Sequence, residues 1–114
     1  MIPTQYNLPD AYRGDTYNAI RFDFTDGNGS GINLSSCTAI AQVRNTRNAL
    51  LLQWSSVDGT MLISGNTLTF NTVSAQKMKI PAGTHNYDLQ INFSGIYDTF
   101  LNGTWNVIQD VTDA

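Results

Sequence analysis

The sequence predicts an all-β protein: an antiparallel β-sandwich of seven to eight short strands, immunoglobulin-like, with an extended N-terminal arm. Apolar and polar residues alternate over several short segments, and turn residues separate these segments at intervals of roughly eight to twelve residues. Thr, Tyr, Phe and Val, which favour strands, are frequent, while good helix formers are scarce among the polar residues. A chain of 114 residues suits one domain with its own core.

Residues 1–16 are predicted to form the extended arm, and residues 17–112 the sandwich domain. Pro3 and Pro9 oppose a helix in the arm. Its few apolar side chains make self-supported order costly, so we expect it to order on contact with a partner. The tripeptide Arg13-Gly14-Asp15 matches an integrin-binding motif by chance, and Arg13 is instead expected to pin the arm by pairing with an aspartate. The residues predicted to contact a partner are Ile2, Tyr6, Leu8, Tyr12, Arg13 and Tyr97.

The first half of the domain contains three predicted strands. Ile20, Phe22 and Phe24 share one face of the first strand, because they recur with a period of two. Residues 37–44 alternate in the same way. The nearly all-apolar segment ALLLQW, residues 49–54, is predicted to be a central strand or one buried on both faces.

The second half contains closely spaced turns and the clearest strand pattern. Asp58-Gly59 and Gly65-Asn66 bracket one short strand, and a second follows at once. SAQKMKI, residues 74–80, could form one helical turn beginning at Ser74. In HNYDLQINF, residues 85–93, apolar and polar residues alternate throughout. Residues 96–101 and 104–111 are predicted as two further strands separated by Gly103.

The glycine-rich stretch TDGNGSG, residues 25–31, has two interpretations. Asp26, Asn28 and Ser30 match the first half of a calcium-binding loop, which also requires a bidentate Glu at its twelfth position. That position holds Cys37, and the chain has no Glu. Glycine adopts positive φ at no steric cost, so a tight hairpin turn is the favoured interpretation.

Composition narrows the function classes. The net charge of −3 and the scattered basic residues argue against nucleic-acid binding. No apolar stretch is long enough for a transmembrane helix or a signal peptide, so no membrane partner is expected. Cys37, the one cysteine, cannot form an internal disulfide and is expected to be a small buried hydrophobe. Charged residues make up only 13% of the chain, which gives little repulsion against association.

No catalytic constellation is evident in the sequence. His85 is the only histidine, so it has no partner for a metal cluster and no obvious nucleophile. Asp88 and Asp98 could be a carboxylate pair, but nothing in the sequence brings them together. We therefore expect no enzyme activity, no metal and no cofactor. An alternative is a carbohydrate-binding site with a platform of aromatic side chains, for which the candidates are Trp54, Trp105, Tyr97 and Phe100.

Short motifs occur in a characteristic order: GDT before the first strand, a DG turn before a strand ending in QVR, then YDLQ, and a closing DVT. This order resembles the immunoglobulin-like N-terminal module of bacteriophage and prophage baseplate and tail-fibre-attachment proteins, over nearly all of residues 12–112. The resemblance implies a non-enzymatic virion structural protein, either a tail or baseplate adaptor or a decoration subunit. It would be made in the bacterial cytoplasm and located in the virion.

The same resemblance implies that the partners are other virion proteins and that the chain is a homo-oligomer in a symmetric assembly. The sequence departs from the family in one respect, because it has no fibre or stalk after DVT, and a stand-alone adaptor or decoration subunit is therefore expected. The alternative function is a carbohydrate-binding module used in host attachment.

Overall fold

Two β-sheets pack face to face in the computed structural model, which describes residues 4–26 and 28–109. Within these residues the sheets contain nine strands, and the predicted antiparallel β-sandwich is confirmed. The count exceeds the predicted seven to eight because the N-terminal arm contributes two short strands. The strands are β1 (Thr4–Gln5), β2 (Leu8–Tyr12), β3 (Ile20–Asp23), β4 (Thr38–Arg44), β5 (Leu50–Ser55), β6 (Met61–Ser64), β7 (Thr67–Phe70), β8 (Gly83–Phe93) and β9 (Ile96–Ile108).

The large sheet has the order β1-β9-β8-β4-β5, with β2 also paired to β9, and the small sheet has the order β3-β7-β6. This distribution of strands between the sheets is that of an immunoglobulin-like sandwich. Neighbouring strands are antiparallel except β1 and β2, which run parallel to β9.

Aromatic side chains fill the space between the sheets, where an immunoglobulin domain has its disulfide. Trp54 stacks on Phe70 of the opposite sheet with 4.8 Å between ring centroids. Phe22 meets the same ring edge-on at 5.0 Å, and Trp105 lies 6.0 Å from Trp54. Because these rings are large and close-packed, they supply much of the buried apolar area that holds the two sheets together.

Two strand predictions are wrong. The apolar segment 49–54 lies in β5, which is an edge strand of the large sheet and not a central one. Trp54 of this strand lies in the core, and Leu51 and Leu52 pack against the core. An edge strand can therefore be as rich in apolar residues as a central one. Gly103 does not break the chain, and residues 96–108 form one continuous strand, β9. A glycine is needed there because a Cβ at residue 103 would lie 2.3 Å from the carbonyl oxygen of Tyr6.

The N-terminal arm is extended, as predicted, but it is paired within its own chain. Thr4 pairs with Leu101, and Leu8 pairs with Trp105. Leu8 and Ala11 are buried in the core. The boundary at residues 16 and 17 stays a prediction, although the strands before it contribute to the same core. The expectation that the arm orders only on contact with a partner does not describe this structure, because β9 supplies the contacts.

Two loop predictions are confirmed. Within residues 25–31, Asp26 accepts hydrogen bonds at Oδ1 from the backbone N–H groups of Asn28 and Ser30, and Thr25 bridges to Gly31, which is a hairpin turn. One helical turn follows Ser74, whose carbonyl accepts from the N–H of Met78 at 3.1 Å. In the described ranges, no helix is long and apolar enough to cross a membrane.

Candidate binding face

The solvent side of the large sheet, here called the outer face, carries a row of polar side chains. Alternation along β4 and β8 sends Ala41 and Leu89 into the core and Gln42 and Asp88 outward. The register then aligns the outward residues across four strands, because each is paired directly with the next. We call this line the amide row; it consists of Gln53, Gln42, Asp88 and Asn102.

Part of the amide row lines a groove of about 560 Å³, to which Gln42 belongs and Gln53 does not. Gln42 and Gln53 are held in place by hydrogen bonds. Nε2 of Gln42 donates to Oε1 of Gln53 at 2.9 Å. Arg44 donates to Oε1 of Gln42 and to the carbonyl oxygen of Asn48, each at 2.9 Å. The other lining residues are Gln5, Asn45, Asn86, Tyr87, Asp88, Asn102, Gly103 and Thr104.

The charges in this groove are balanced. Asp88 is its single carboxylate and Arg44 its single cation. Partial desolvation by neighbouring side chains raises the pKa of Asp88, and the attraction of Arg44 partly opposes that rise. A groove of this kind offers amide donors and acceptors, one carboxylate and one guanidinium to a polar partner.

An apolar hollow of about 180 Å³ lies at the opposite end of the outer face. Ile40, Val57 and Tyr97 contribute its apolar lining, and Thr38 and Gln90 contribute polar atoms. Val57 is 81% exposed and Tyr97 is 62% exposed. Large apolar side chains clustered on a surface are typical of an interaction site.

A second feature lies at the edge where the arm pairs with β9. The carbonyl oxygen of Pro9 accepts hydrogen bonds from the Tyr17 hydroxyl at 2.7 Å and from Nε1 of Trp105 at 3.2 Å. The Tyr87 hydroxyl donates to the carbonyl oxygen of Tyr6. Burial raises the pKa of Tyr17 to about 12 and also raises that of Tyr87, so both hydroxyls keep the protons that they donate.

The six residues predicted to contact a partner do not form one site. Ile2 lies outside the described residues. Leu8 is buried in the core, and Arg13 is half-buried in the turn after β2. Tyr6 packs edge-on against Phe22 at 5.4 Å, and Tyr12 is exposed at the end of β2. Tyr97 alone lies on the outer face, so the sequence identified one residue of the hollow.

The other candidate sites are also separated by the structure. The aromatic platform for a sugar is wrong, because Trp54, Trp105 and Phe100 are buried and only Tyr97 is exposed. His85 is buried, with Nε2 2.7 Å from the carbonyl oxygen of Pro81 and no hydrogen-bond partner for Nδ1 among the described residues. Cys37 is half-buried against the core. Among residues 4–26 and 28–109, no three His, Cys, Asp or Glu side chains form a group that could hold a metal.

Sequence reasoning missed most residues of the outer face. Asn86 and Asp88 were assigned to a polar strand face, which is correct, but their alignment with Gln42 and Asn102 depends on register. Val57 directly precedes the Asp58-Gly59 turn, and its place beside Tyr97 is not encoded locally. The available signal was the amide-rich polar face of residues 85–93 beside an exposed aromatic residue in the next strand.

Together, the fold and this face define an all-β sandwich with a surface suited to polar and apolar contacts. No known protein family matches the sequence, and no curated protein matches it. Among solved structures, CopC from Methylosinus trichosporium OB3b is similar, with a TM-score of 0.50 at 9% identity. The match covers 92% of this chain and 89% of that one. At so low an identity, the similarity shows the fold alone.

The proposed relationship to phage baseplate and tail proteins is therefore wrong, and so are the virion location and the virion structural function. The solved structure that is similar is CopC, and no family model or curated protein supports a phage origin. The motifs that suggested the relationship are turn and strand residues. GDT and DG supply turns, and QVR and YDLQ lie in β4 and β8. Any β-sandwich needs such residues, so their order indicates the fold without indicating the family.

Proposed function

We propose that this chain is a non-enzymatic interaction domain that self-associates through its outer face. The observation that carries the proposal is the position of Val57 and Tyr97. They are exposed at one apolar hollow, on the same face as the amide row.

The outer face has the composition of a protein interface. Such interfaces bury an apolar centre that is surrounded by polar groups, and tyrosine is enriched at their most important positions. Tyr97 can bury a large ring while its hydroxyl stays hydrated, and Val57 adds a rigid β-branched side chain. The amide row supplies polar groups that pair with either donors or acceptors.

The charges of the outer face permit contact with a second copy. The groove holds one cation and one carboxylate, so two copies meet without net repulsion between their grooves. A two-fold contact places the same patch of each copy against the other, and a patch that offers both donors and acceptors is self-complementary. Arg44 is already fixed by two hydrogen bonds, so less side-chain entropy is lost when the contact forms.

The test is the solution mass of the full chain by light scattering across a range of concentrations. We expect an oligomer that dissociates on dilution. Changing Val57→Ser together with Tyr97→Ser should make it a monomer, because both apolar contacts are lost. Each residue is exposed, so the fold should be retained, as a far-ultraviolet circular dichroism spectrum would show.

The matched control is Leu62→Ser, which removes an exposed apolar side chain from β6 in the small sheet. This variant should keep the mass of the parent chain. A parent chain that is monomeric at every concentration would contradict the proposal. So would an oligomer that the double substitution leaves intact.

A further inference from the structure

The arm and β9 meet at a binding surface that recognises backbone and not side chains. We call this surface the β9 edge and define it by Tyr17, Tyr87, Gly103 and Trp105. Three of these side chains donate to carbonyl oxygens of the arm. Gly103 provides the space for the arm backbone, because a Cβ there would lie 2.3 Å from the Tyr6 carbonyl oxygen. An extended strand from any source presents carbonyl groups to such a surface.

The arm is joined to the body by one tight turn. The N–H of Asp15 donates to the carbonyl oxygen of Tyr12 at 3.1 Å, and Gly14 has a φ of 87°. A second groove of about 300 Å³ is lined by residues 9–12 and 15–20. The turn is held to the body by two backbone hydrogen bonds, from Gly14 to the Met78 carbonyl oxygen at 3.0 Å and from Arg13 to the Ile108 carbonyl oxygen at 2.9 Å. If this turn opens, the arm extends away from its own β9 while the remaining turns of the sandwich are unchanged.

The pairing of the arm with β9 is interrupted, which lowers the cost of removing it. The β1 and β2 strands are separated at residues 6 and 7, and the register shifts between Leu8 and Ala11. The pairing of β8 with β9 also has one register shift, between Leu89 and Gln90, but it extends over eleven residue pairs and is antiparallel, whereas the arm pairs in two short parallel pieces. Leu8 and Ala11 are buried in the core, so the arm leaves β9 only together with these side chains, which the exchanged form buries again.

We propose that the β9 edge binds the arm of a second copy of this chain, so that two copies exchange residues 4–12. Every contact of the arm in the closed chain recurs in the exchanged dimer, since the strand and its binding surface are the same. The balance between the two forms then depends on the turn at residues 12–15 and on concentration. The exchanged strands lie at the opposite edge of the large sheet from β5, and Gln5 of the arm also lines the outer-face groove. The test therefore uses chains in which the apolar contacts of the outer face are removed.

Paired cysteines provide the test, in full-length chains that carry Cys37→Ser and the two outer-face substitutions Val57→Ser and Tyr97→Ser. Gln5 and Asn102 are exposed and directly paired. Strands in a sheet are spaced closely enough for a disulfide between paired residues. The variants Gln5→Cys and Asn102→Cys are purified separately, mixed in equal amounts, incubated and then oxidised gently. Disulfide-linked peptides are counted by mass spectrometry.

A mixed disulfide joins a Gln5→Cys chain to an Asn102→Cys chain, and a like disulfide joins two chains of the same variant. Random collision gives mixed and like disulfides in a ratio of about one to one. Strand exchange places residue 5 of one chain beside residue 102 of the other, and we expect mixed disulfides to exceed like ones by about tenfold or more. A ratio that stays at the random value overturns the proposal. The matched control is the pair Leu62→Cys and Thr69→Cys, which are neighbours in the small sheet within one body. Mixing these two variants should give the random ratio.

A single chain with both Gln5→Cys and Asn102→Cys should close an internal disulfide at high dilution. The pair Tyr12→Cys and Ile108→Cys, also directly paired, provides a second position. If neither double variant closes, the arm does not lie along β9 and the proposal is wrong.

The role of the turn at residues 12–15 can be tested separately. An added Cβ at Gly14 meets nothing within 4 Å, so Gly14→Ala strains only the positive φ of the closed turn. We expect the mixed-disulfide yield to rise about fivefold. Gly59→Ala is the matched control, because Gly59 has a φ of 83° with equally open surroundings and lies in a distant hairpin. An equal effect of both substitutions would overturn the role of the turn in exchange.

Discussion

The two faces of the large sheet are built from the same strands but have opposite roles. On the inner face, Ala41, Leu89 and Trp105 are completely buried. On the outer face, their neighbours in the chain form a polar surface, in which Gln42 is hydrogen-bonded to Gln53 and Arg44 and Asp88 is exposed. Since side chains of a strand alternate, each residue step along β4 or β8 moves from one role to the other.

This contrast separates the residues that stabilise the fold from the residues of the proposed association surface. Inner-face residues contribute through close packing, so their loss should lower the free energy of unfolding without a specific effect on association. Outer-face residues contribute little to the free energy of folding, because their side chains remain partly in contact with water in the folded chain. Substitutions on the two faces of one strand can therefore be compared directly.

The largest effect is expected on the inner face, from Trp105→Ala. Trp105 is completely buried, meets Tyr17 edge-on at 5.1 Å and donates to the Pro9 carbonyl oxygen. Its removal should lower the free energy of unfolding by about 3–5 kcal/mol, measured by guanidinium denaturation. Asn106→Ala, the next residue and half-exposed, is the control and should cost less than about 0.5 kcal/mol. Similar costs for the two variants would contradict the division between the faces.

A smaller effect is expected where the sheet meets the arm, from Gly103→Ala. The new Cβ would overlap the backbone of Tyr6 and the side chain of Asn7, and backbone cannot rotate away. We expect a loss of about 1–3 kcal/mol in the free energy of unfolding. Hydrogen exchange should become faster in residues 4–12 and stay unchanged in β4.

Thr104→Ala is the matched control for this variant, because Thr104 is the next residue of β9 and points to the outer groove. It should leave hydrogen exchange of the arm unchanged. If Gly103→Ala destabilises the whole chain without selective exposure of the arm, the close approach of Tyr6 does not explain the glycine.

The alternation that predicts the faces could be read from the sequence, since it depends only on neighbouring residues. It correctly placed Ala39, Ala41 and Val43 on one face of β4, and His85, Tyr87 and Leu89 on one face of β8. The hairpin turn at Asp26 was also local and was predicted correctly. Of the aromatic residues that the sequence offers for a sugar-binding platform, Tyr97 is exposed and Trp105 is completely buried.

Features that depend on distant pairing could not be read in this way. The run of three leucines in β5 is the same whether a strand is central or at an edge, because burial of its inner face requires apolar residues in both cases. Gly103 resembles a strand breaker until Tyr6, far away in the sequence, is placed against it. The amide row requires the register of three strand pairs, which no single segment encodes.

The smallest effect should distinguish two aspartates by the pH dependence of stability. Partial desolvation raises the pKa of Asp88 on the outer face, above its ordinary value of 3.8. The folded chain therefore holds this proton more tightly than the unfolded chain, and Asp88 reduces stability as pH rises through and above that range. Asp88→Asn should thus be slightly more stable than the parent at neutral pH, by less than about 0.5 kcal/mol. The difference should vanish well below pH 3.8, where both chains are neutral at this position.

Asp23, at the end of β3, provides the opposite case. Hydrogen bonds from Thr67 and Arg21 lower the pKa of Asp23. The folded chain releases this proton more readily, so the carboxylate contributes stability above pH 3.8 that is lost as pH falls through its lowered pKa. Asp23→Asn should be less stable than the parent at neutral pH and equal to it in strong acid. Urea denaturation across pH would show two difference curves of opposite sign that converge at low pH. If both curves have the same sign, the outer groove does not desolvate Asp88, and the polar face is simply hydrated surface.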